Sequence, residues 1–376
     1  MRKIFYFILF LVSLSFLFNQ DKLKFSADIA KSYKEENVLA KEFKNNVKII
    51  DDDIILYTNS AIHYPDSNKV ILIGDVKMYQ NNDSLQCKKM QLYKGNDERY
   101  EAEGDVILYK QNKEIKAENL IYFKNNNIKA NQNISIKDSL RLILGDSLYI
   151  NYLNSLINNI HIKSNAKLYN TRNVLLKGDS NIKSLQDILE SNNMYIDFYD
   201  NETIKNIDLF GMAIADFSVV EDSLLKGNNN ISGDSINIQY QKQEISNMKI
   251  SGGAIGKFIP DPDNDEITNE VYYEANLVNY NVNKEITILN NNAKVIYGST
   301  TLEGGEIEAN WNLNIIESKT KDSILPSVTT NNEQPTYGEY MIFDLVTERG
   351  NIDHGYNHIE MGIFKGDEFL TDTNND

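Results

Sequence analysis

The sequence predicts an all-β protein of many short antiparallel strands, about ten two-strand units in all, and three observations carry that expectation. The first is composition. Twenty-two Tyr and 15 Phe stand against only 5 Pro in 376 residues, and aromatic and β-branched residues fit a pleated, half-buried surface. Asn is also frequent, in runs such as Asn125-Asn126-Asn127, Asn228-Asn229-Asn230 and Asn290-Asn291-Asn292. Asn tolerates turn conformations, so these runs are expected to end strands.

The second observation is a repeat of two beats. The first beat is a short alternating segment with a small or polar start and an aromatic end. It occurs at Ala27 to Tyr33, Thr58 to Tyr64, Cys87 to Tyr93, Ala117 to Phe123 and Asp146 to Tyr152. It returns at Asn192 to Phe198, Asp234 to Tyr240, Glu274 to Tyr280, Gly305 to Trp311 and Tyr337 to Phe343. The second beat is a small or polar pair followed by Val, Ile or Ala: Asn45-Asn46-Val47, Gly74-Asp75-Val76, Gly104-Asp105-Val106, Gln132-Asn133-Ile134, Ser164-Asn165-Ala166, Gly211-Met212-Ala213, Gly252-Gly253-Ala254 and Asn291-Asn292-Ala293. From each first-beat aromatic to the next second-beat apolar residue the spacing is 11 to 15 residues. The return gap is 17 or 18 residues except at three places, where it reaches 32, 27 and 26. Stacked units tolerate insertion only where it spares neighbour contacts. The insertions, near residues 167–191, 214–233 and 255–273, should therefore cluster along one edge.

The third observation is period-two alternation. Tyr100-Glu101-Ala102-Glu103 and Glu114-Ile115-Lys116-Ala117-Glu118 put charge on one face and apolar groups on the other. Val70-Ile71-Leu72-Ile73 and Leu142-Ile143-Leu144 are apolar on both faces. A two-strand unit of about 30 residues cannot bury its own dry face, so it must fold over or stack. Helical readings exist at Ile29 to Phe43, where both beats in register favour strands, and at Ser184 to Glu190, where an insertion could form a short helix.

The remaining features bound the function. Arg2 and Lys3 precede an apolar run, Ile4 to Phe18, with the shape of a signal peptide over residues 1–20. The run is shorter than the roughly 20 residues that span a bilayer, and no clear small-x-small cleavage site follows it. Cleaved export and a retained N-terminal anchor are the two readings. The formal charge of −16 repels nucleic acid and anionic membrane surfaces. Cys87 is alone, so no internal disulfide forms, and it reads as a small buried hydrophobe or a bridge to another chain. Asp261-Pro262-Asp263-Asn264-Asp265-Glu266 lacks the glycine and distant Glu of an EF-hand loop and reads as a solvated insertion tip. His354 and His358 lie four apart in a stretch whose alternation and Gly355 argue against a helical metal site. No phosphate loop, nucleophile elbow or zinc-protease motif is present. No catalytic residue, metal or cofactor is assigned, and the chain reads as a non-enzyme.

At this point the phrases resemble the OstA-like family of lipopolysaccharide-transport proteins, which includes LptA-type periplasmic bridges and the N-terminal domains of LptD-type translocons. The resemblance rests on Phe43 to Ile49 followed by Ile55 to Ala61, on Val70 to Tyr79, and on Ala102 to Tyr109. Asn193 to Phe217 and Lys226 to Pro260 look more like the long LptD-type domains, as do Tyr337 to Asp344 and Thr347 to Ile352. It implies a folded-over β-jellyroll (β-taco), open along one side, whose apolar interior carries lipid acyl chains. The corresponding segments are 26–166, 167–320 with insertions, and 321–376 as a linker and approach to a barrel. It further implies a periplasmic, outer-membrane-associated location, a lipopolysaccharide or related glycolipid as cargo, and edge-strand stacking with other Lpt-type proteins. An LptD barrel needs hundreds more residues than follow here, which leaves a truncated or split LptD or a long LptA-like protein as expectations.

The candidate groove residues are the inward set around the second beats: Val76, Met78, Val106, Leu108, Ile134 and Ile136. Each reads equally as ordinary core packing, and a phase shift of one residue would turn their neighbours inward instead. The rival readings are an extracytoplasmic β-solenoid acting as an adhesin or polysaccharide-active protein, and a structural scaffold of the envelope. A solenoid usually repeats at 20 to 25 residues rather than 30, and an enzyme of that kind should show a recurring row of charged side chains.

Overall fold

A computed structural model describes residues 23–35, 38–177, 182–221, 223–264, 266–331, 333–359 and 362–372. The N-terminal apolar run lies outside the described residues. The described chain is all-β, as the sequence predicts, and divides into two compact units, one up to Asp138 and one from Ser139.

The first unit contains β1 (Lys24–Ser26), β2 (Ile29–Glu35), β3 (Val38–Asp51), β4 (Ile54–Tyr64), β5 (Lys69–Gln80), β6 (Asp83–Tyr93), β7 (Arg99–Lys110), β8 (Lys113–Phe123) and β9 (Ile128–Lys137). The second begins with β10 (Arg141–Leu153), β11 (Leu156–Leu175), β12 (Ile182–Phe198), β13 (Ile204–Glu221), β14 (Leu224–Gln241) and β15 (Glu244–Pro260). It continues through β16 (Val271–Asn281), β17 (Ile286–Tyr297), β18 (Thr300–Asn310) and β19 (Ile315–Lys319). It closes with β20 (Ser327–Thr330), β21 (Thr336–Tyr337), β22 (Tyr340–Asp344), β23 (Arg349–Ile359) and β24 (Gly362–Asp372). From β3 to β9, and again from β10 to β19, each strand pairs antiparallel with the next. A right-handed β-helix would stack its strands in parallel, so the solenoid fold is excluded.

The second beats do not end strands; they bend them. In β3 the pair Asn45-Asn46 has φ of 59° and 52°, and the register with β4 slips between Lys44 and Val47. The same left-handed pair and slip recur at Gly74-Asp75 in β5, Gly104-Asp105 in β7 and Gln132-Asn133 in β9. In the second unit they recur at Ser164-Asn165, Gly211-Met212, Gly252-Gly253 and Asn291-Asn292. Two consecutive left-handed residues against a shorter partner segment form a β-bulge, which bends its strand. Gly and Asn dominate because they enter that region with little steric cost. The Asn runs thus split by role. Asn125-Asn126-Asn127 forms a hairpin connection, Asn291-Asn292 a mid-strand corner, and Asn228-Asn229-Asn230 an extended stretch of β14.

The residue after each pair turns inward. Val47, Val76, Val106, Ile134, Ala166, Ala213, Ala254 and Ala293 are all buried. On the neighbouring even strands the residue inside the bend is small or has no side chain: Thr58, Cys87, Ala117, Gly145, Ser191, Gly233, Ala275 and Gly304. A Cβ on Gly145 would sit 2.2 Å from Ile162 Cγ2, so the corner admits almost no volume. Where the residue is polar it satisfies a backbone group. The Thr58 hydroxyl donates to the Ile73 carbonyl at 2.9 Å, Ser191 to the Asn193 carbonyl at 2.8 Å, and the Cys87 thiol to the Lys89 carbonyl at 3.2 Å. The lone cysteine is therefore one of the corner fillers, and it is buried and free.

All three long gaps fall at the same kind of connection, the odd-to-even turns; the first two lengthen the strands, and the third adds a connection between Pro260 and Val271. β11 to β15 run 17 to 20 residues, against 10 to 14 for β3 to β9. The helix considered at Ser184 to Glu190 is instead strand β12, paired residue for residue with β11 from Arg172↔Leu185 to Lys167↔Glu190. Cross-strand pairing there overrides the helical spacing of Leu185, Ile188 and Leu189.

Candidate functional site

Each corner divides its strand into two arms, and the inner faces of the arms meet. Asp51 ends β3 and Tyr100 is the second residue of β7, four strands on; a flat sheet would separate them by about 19 Å at ~4.8 Å per strand. Instead the Tyr100 hydroxyl donates to Asp51 Oδ2 at 2.7 Å. The sheet of the first unit is folded over on itself.

The six candidate residues lie on that inner face. Val76 and Met78 follow the β5 corner, Val106 and Leu108 the β7 corner, and Ile134 and Ile136 the β9 corner, and all six are buried. Lys77 points outward, so the phase that turns Val76 and Met78 inward is the one the backbone adopts. Opposite them in register stand Leu56 and Leu85 beside Met78, and Ile115 beside both Leu108 and Ile136.

Polar bridges cross the rim of the first unit from arm to arm at Asp51, which meets Tyr100 and Lys94, and at Tyr122, which meets Lys110, each backed by contacts within one arm. Lys94 Nζ donates to Asp51 Oδ1 at 2.7 Å and to Glu98 Oε1 at 2.6 Å, and Lys124 Nζ donates to the other Glu98 oxygen at 2.8 Å. Farther along, Lys110 Nζ donates to Asp83 at 2.7 Å and to the Tyr122 hydroxyl at 3.1 Å. Burial works against charge on Lys94, but hydrogen bonds to Asp51 and Glu98 outweigh it and its pKa lies above the ordinary lysine value. Burial together with the Asp51 carboxylate pushes the Tyr100 phenol well up.

The second unit holds a cavity of about 340 Å³ between its arms. One wall carries Met248, Ile250, Val278, Leu289, Ala309 and Trp311; the facing wall carries Ile231, Phe258, Val271, Tyr273 and Val295. The Phe258 and Trp311 rings approach across it at 6.3 Å between centroids. Its polar atoms are satisfied locally: Trp311 Nε1 donates to Thr287 Oγ1, and the Tyr273 hydroxyl to Asn229 Oδ1, both at 2.8 Å. Burial pushes the Tyr280 phenol up to about 12, so it is neutral at physiological pH.

Charge gathers at the cavity's margin. Lys226 Nζ lies 3.0 Å from Glu266 and 3.5 Å from Glu221. Burial opposes the Lys226 charge, yet the two carboxylates hold its pKa above the ordinary value. The hydrogen bond from Lys226 in turn holds Glu266 below the ordinary carboxylate range. The segment read as a solvated tip folds back here: Asn264 Nδ2 donates to the Lys226 carbonyl at 3.0 Å, and Asn264, Glu266 and Ile267 border the cavity.

None of the six candidates borders this cavity, since all six belong to the first unit. Much of its lining, including Val219, Lys226, Ile231, Phe258, Glu266 and Tyr273, comes from the insertions at 214–233 and 255–273. The sequence signal for these residues was the long gap itself. Among the described residues no group of three or more His, Cys, Asp or Glu side chains is arranged to hold a metal ion.

Comparison with known proteins gives two family matches. Residues 20–123 match the OstA-like protein family, and residues 223–314 match the family described as LptA/(LptD N-terminal domain) LPS transport protein. The second match spans most of the cavity lining. Among solved structures, LptH of Pseudomonas aeruginosa, the LptA homologous periplasmic component of its lipopolysaccharide transport device, is 16% identical, with 36% of this chain and 82% of LptH covered and a TM-score of 0.28. No curated protein matches the chain. Over its two matched segments the chain belongs to the OstA-like family of LptA- and LptD-type lipopolysaccharide-transport proteins.

Proposed function

We propose that this protein binds the acyl chains of lipopolysaccharide or a related glycolipid between its folded arms, in the periplasm, and passes them toward the outer membrane. The observation that carries the reading is the cavity of the second unit, apolar within and charged at its margin. Each methylene moved from water into such an interior contributes about 0.8 kcal/mol, so acyl chains need no basic cluster to hold them. The cavity volume falls within the range of small-molecule sites. In the first unit Val76, Met78, Val106, Leu108, Ile134 and Ile136 form the corresponding inner face.

Transfer is passive in this reading: the protein supplies an apolar surface and no chemistry. Among the described residues β2 pairs on one side only, with β3, and β24 on one side only, with β23. Such edges can add a strand from a neighbouring Lpt-type protein through main-chain hydrogen bonds. An envelope scaffold would need no space between its arms.

The test is binding of purified lipopolysaccharide to the chain and to Ile250→Trp, which fills the cavity with apolar volume. The expected result is an affinity at least tenfold weaker in the variant. Equal affinity in a folded variant would sink the cavity as the acyl site.

A further inference from the structure

The two units differ at their rims, and that difference bears on which of them takes cargo. In the first unit the bridge partners are among the most buried polar groups of the molecule. Asp51 is 2% exposed and accepts from both Tyr100 and Lys94. Lys94 is itself held by Glu98, whose side chain is 9% exposed. The second bridge joins Lys110, buried at the end of β7, to Tyr122 near the end of β8, and the Tyr122 hydroxyl also reaches Gln80 Oε1 at 3.4 Å and Asn126 Oδ1 at 2.7 Å. Tyr100 and Tyr122 stand opposite each other in register on adjacent strands, with ring centroids 6.5 Å apart. They form a two-tyrosine bar across the rim.

We infer that Asp51, Lys94, Tyr100, Lys110 and Tyr122 determine where acyl chains bind, by latching the arms of the first unit together and leaving the second unit to accept cargo. The inference rests on the acyl-binding reading above and adds to it a division of labour. For an acyl chain to reach Val76 or Leu108 through the rim, the arms must part. Parting them strips Asp51 of the Tyr100 and Lys94 donors, and a carboxylate taken from buried partners is expensive to leave unmatched. The second unit has a charged cluster too, Lys226 with Glu221 and Glu266. All three border the cavity, and two ties cross from the segment after β15 to the opposite arm, Asn314 to Glu266 and Asn269 Nδ2 to Glu348 at 3.1 Å; the Glu266 side chain, however, is 55% exposed where Asp51 is 2%, so these ties cost far less to part than the Asp51 bridge.

The latch also accounts for a feature of the repeat. Aromatic residues end the first beats, yet Tyr93 and Phe123 are only half-buried at the strand ends. The buried bridging tyrosines are Tyr100, on β7 after the β6–β7 turn, and Tyr122, the residue before Phe123. Both are tyrosine, not phenylalanine, at positions where only the hydroxyl reaches the opposite arm.

The experiment is labelling of the full chain with lipid A carrying a diazirine in one acyl chain, with adducted peptides mapped by mass spectrometry. It compares the native chain with Tyr100→Phe and with Tyr100→Phe/Tyr122→Phe. The rings stay and only hydroxyls are lost, so the fold is retained; far-ultraviolet circular dichroism confirms it. In the native chain adducts should fall in peptides from residues 219–316. In the variants, adducts in peptides containing Val76 to Met78 and Val106 to Leu108 should rise about tenfold, the population change that losing one buried hydrogen bond brings. Equal labelling of both units in the native chain, or no gain in the variants, would overturn the latch while leaving acyl binding intact. Adducts in neither unit would overturn acyl binding itself, and the latch with it.

Discussion

Met212 is the one residue among the sixteen corner positions whose side chain is long, apolar and unbranched, and it predicts its own improvement. Its φ is 51° and it is 72% exposed. An L-residue in the left-handed region is disfavoured by about 1–2 kcal/mol unless, like Asn, it can hydrogen-bond locally. Being exposed, the side chain returns little burial energy. Met212→Asn should therefore stabilise the second unit by about 1 kcal/mol, raising its melting temperature by about 2–4 °C for a unit of this size. Differential scanning calorimetry reads the shift. The counterpart, Asn292→Val, places a β-branched residue at φ 55° and should lower stability by about 1–2 kcal/mol. If Met212→Asn leaves the transition unmoved and Asn292→Val is neutral, the pairs are not left-handed corners, and the folding of the arms must be explained otherwise.

Three further outcomes follow from the same geometry. Burial pushes the Cys87 thiol up to about 12, so a soluble thiol reagent at pH 8 should leave it unmodified in the native chain and label it fully once guanidinium unfolds the first unit. Burial would raise the Glu98 pKa, but hydrogen bonds from Lys124 and Lys94 outweigh it and hold the group below its ordinary 4.5. A carboxylate with a depressed folded pKa stabilises fully above its unfolded value and loses that contribution as pH falls through the folded one. Hydrogen exchange of the first unit should therefore accelerate below about pH 4.5, and Glu98→Gln should flatten that dependence. Gly145→Val, which drives a side chain into Ile162 Cγ2, should destabilise the second unit by at least 1–3 kcal/mol in denaturant titration.

The fold was legible because both beats report backbone constraints. A left-handed pair admits few residue types, so Gly-Asp, Asn-Asn and Gly-Gly recur at Asp75, Asn46 and Gly253, and the inward residue behind each is apolar. Their meaning was misread in one respect: left-handed residues suggest turns at strand ends, and only the register of the neighbouring strand shows that Asn45-Asn46 continues β3 beyond the bend. Alternation put Val76 and Val106 on an apolar face but left the phase open by one residue, and their burial in the fold is what fixes it. The cavity was not legible. Ile250, Leu289 and Trp311 repeat the pattern of packed positions elsewhere, and what distinguishes them is the length of the opposing arm carrying Ile231 and Phe258. That length appeared in the sequence only as a gap between beats. The latch was hidden for a related reason, since Asp51 and Tyr100 are 49 residues apart and come together only when the sheet closes.

The corners also make the chain a measure of distance. Within each unit they recur at every second strand, so the bend is set locally by two left-handed residues and the small residue facing them, and arm length sets the depth. Adding a hairpin of some 30 residues extends the trough by two strand spacings, about 10 Å, and leaves its width unchanged. Tandem duplication or loss of a unit is thereby a change of reach alone.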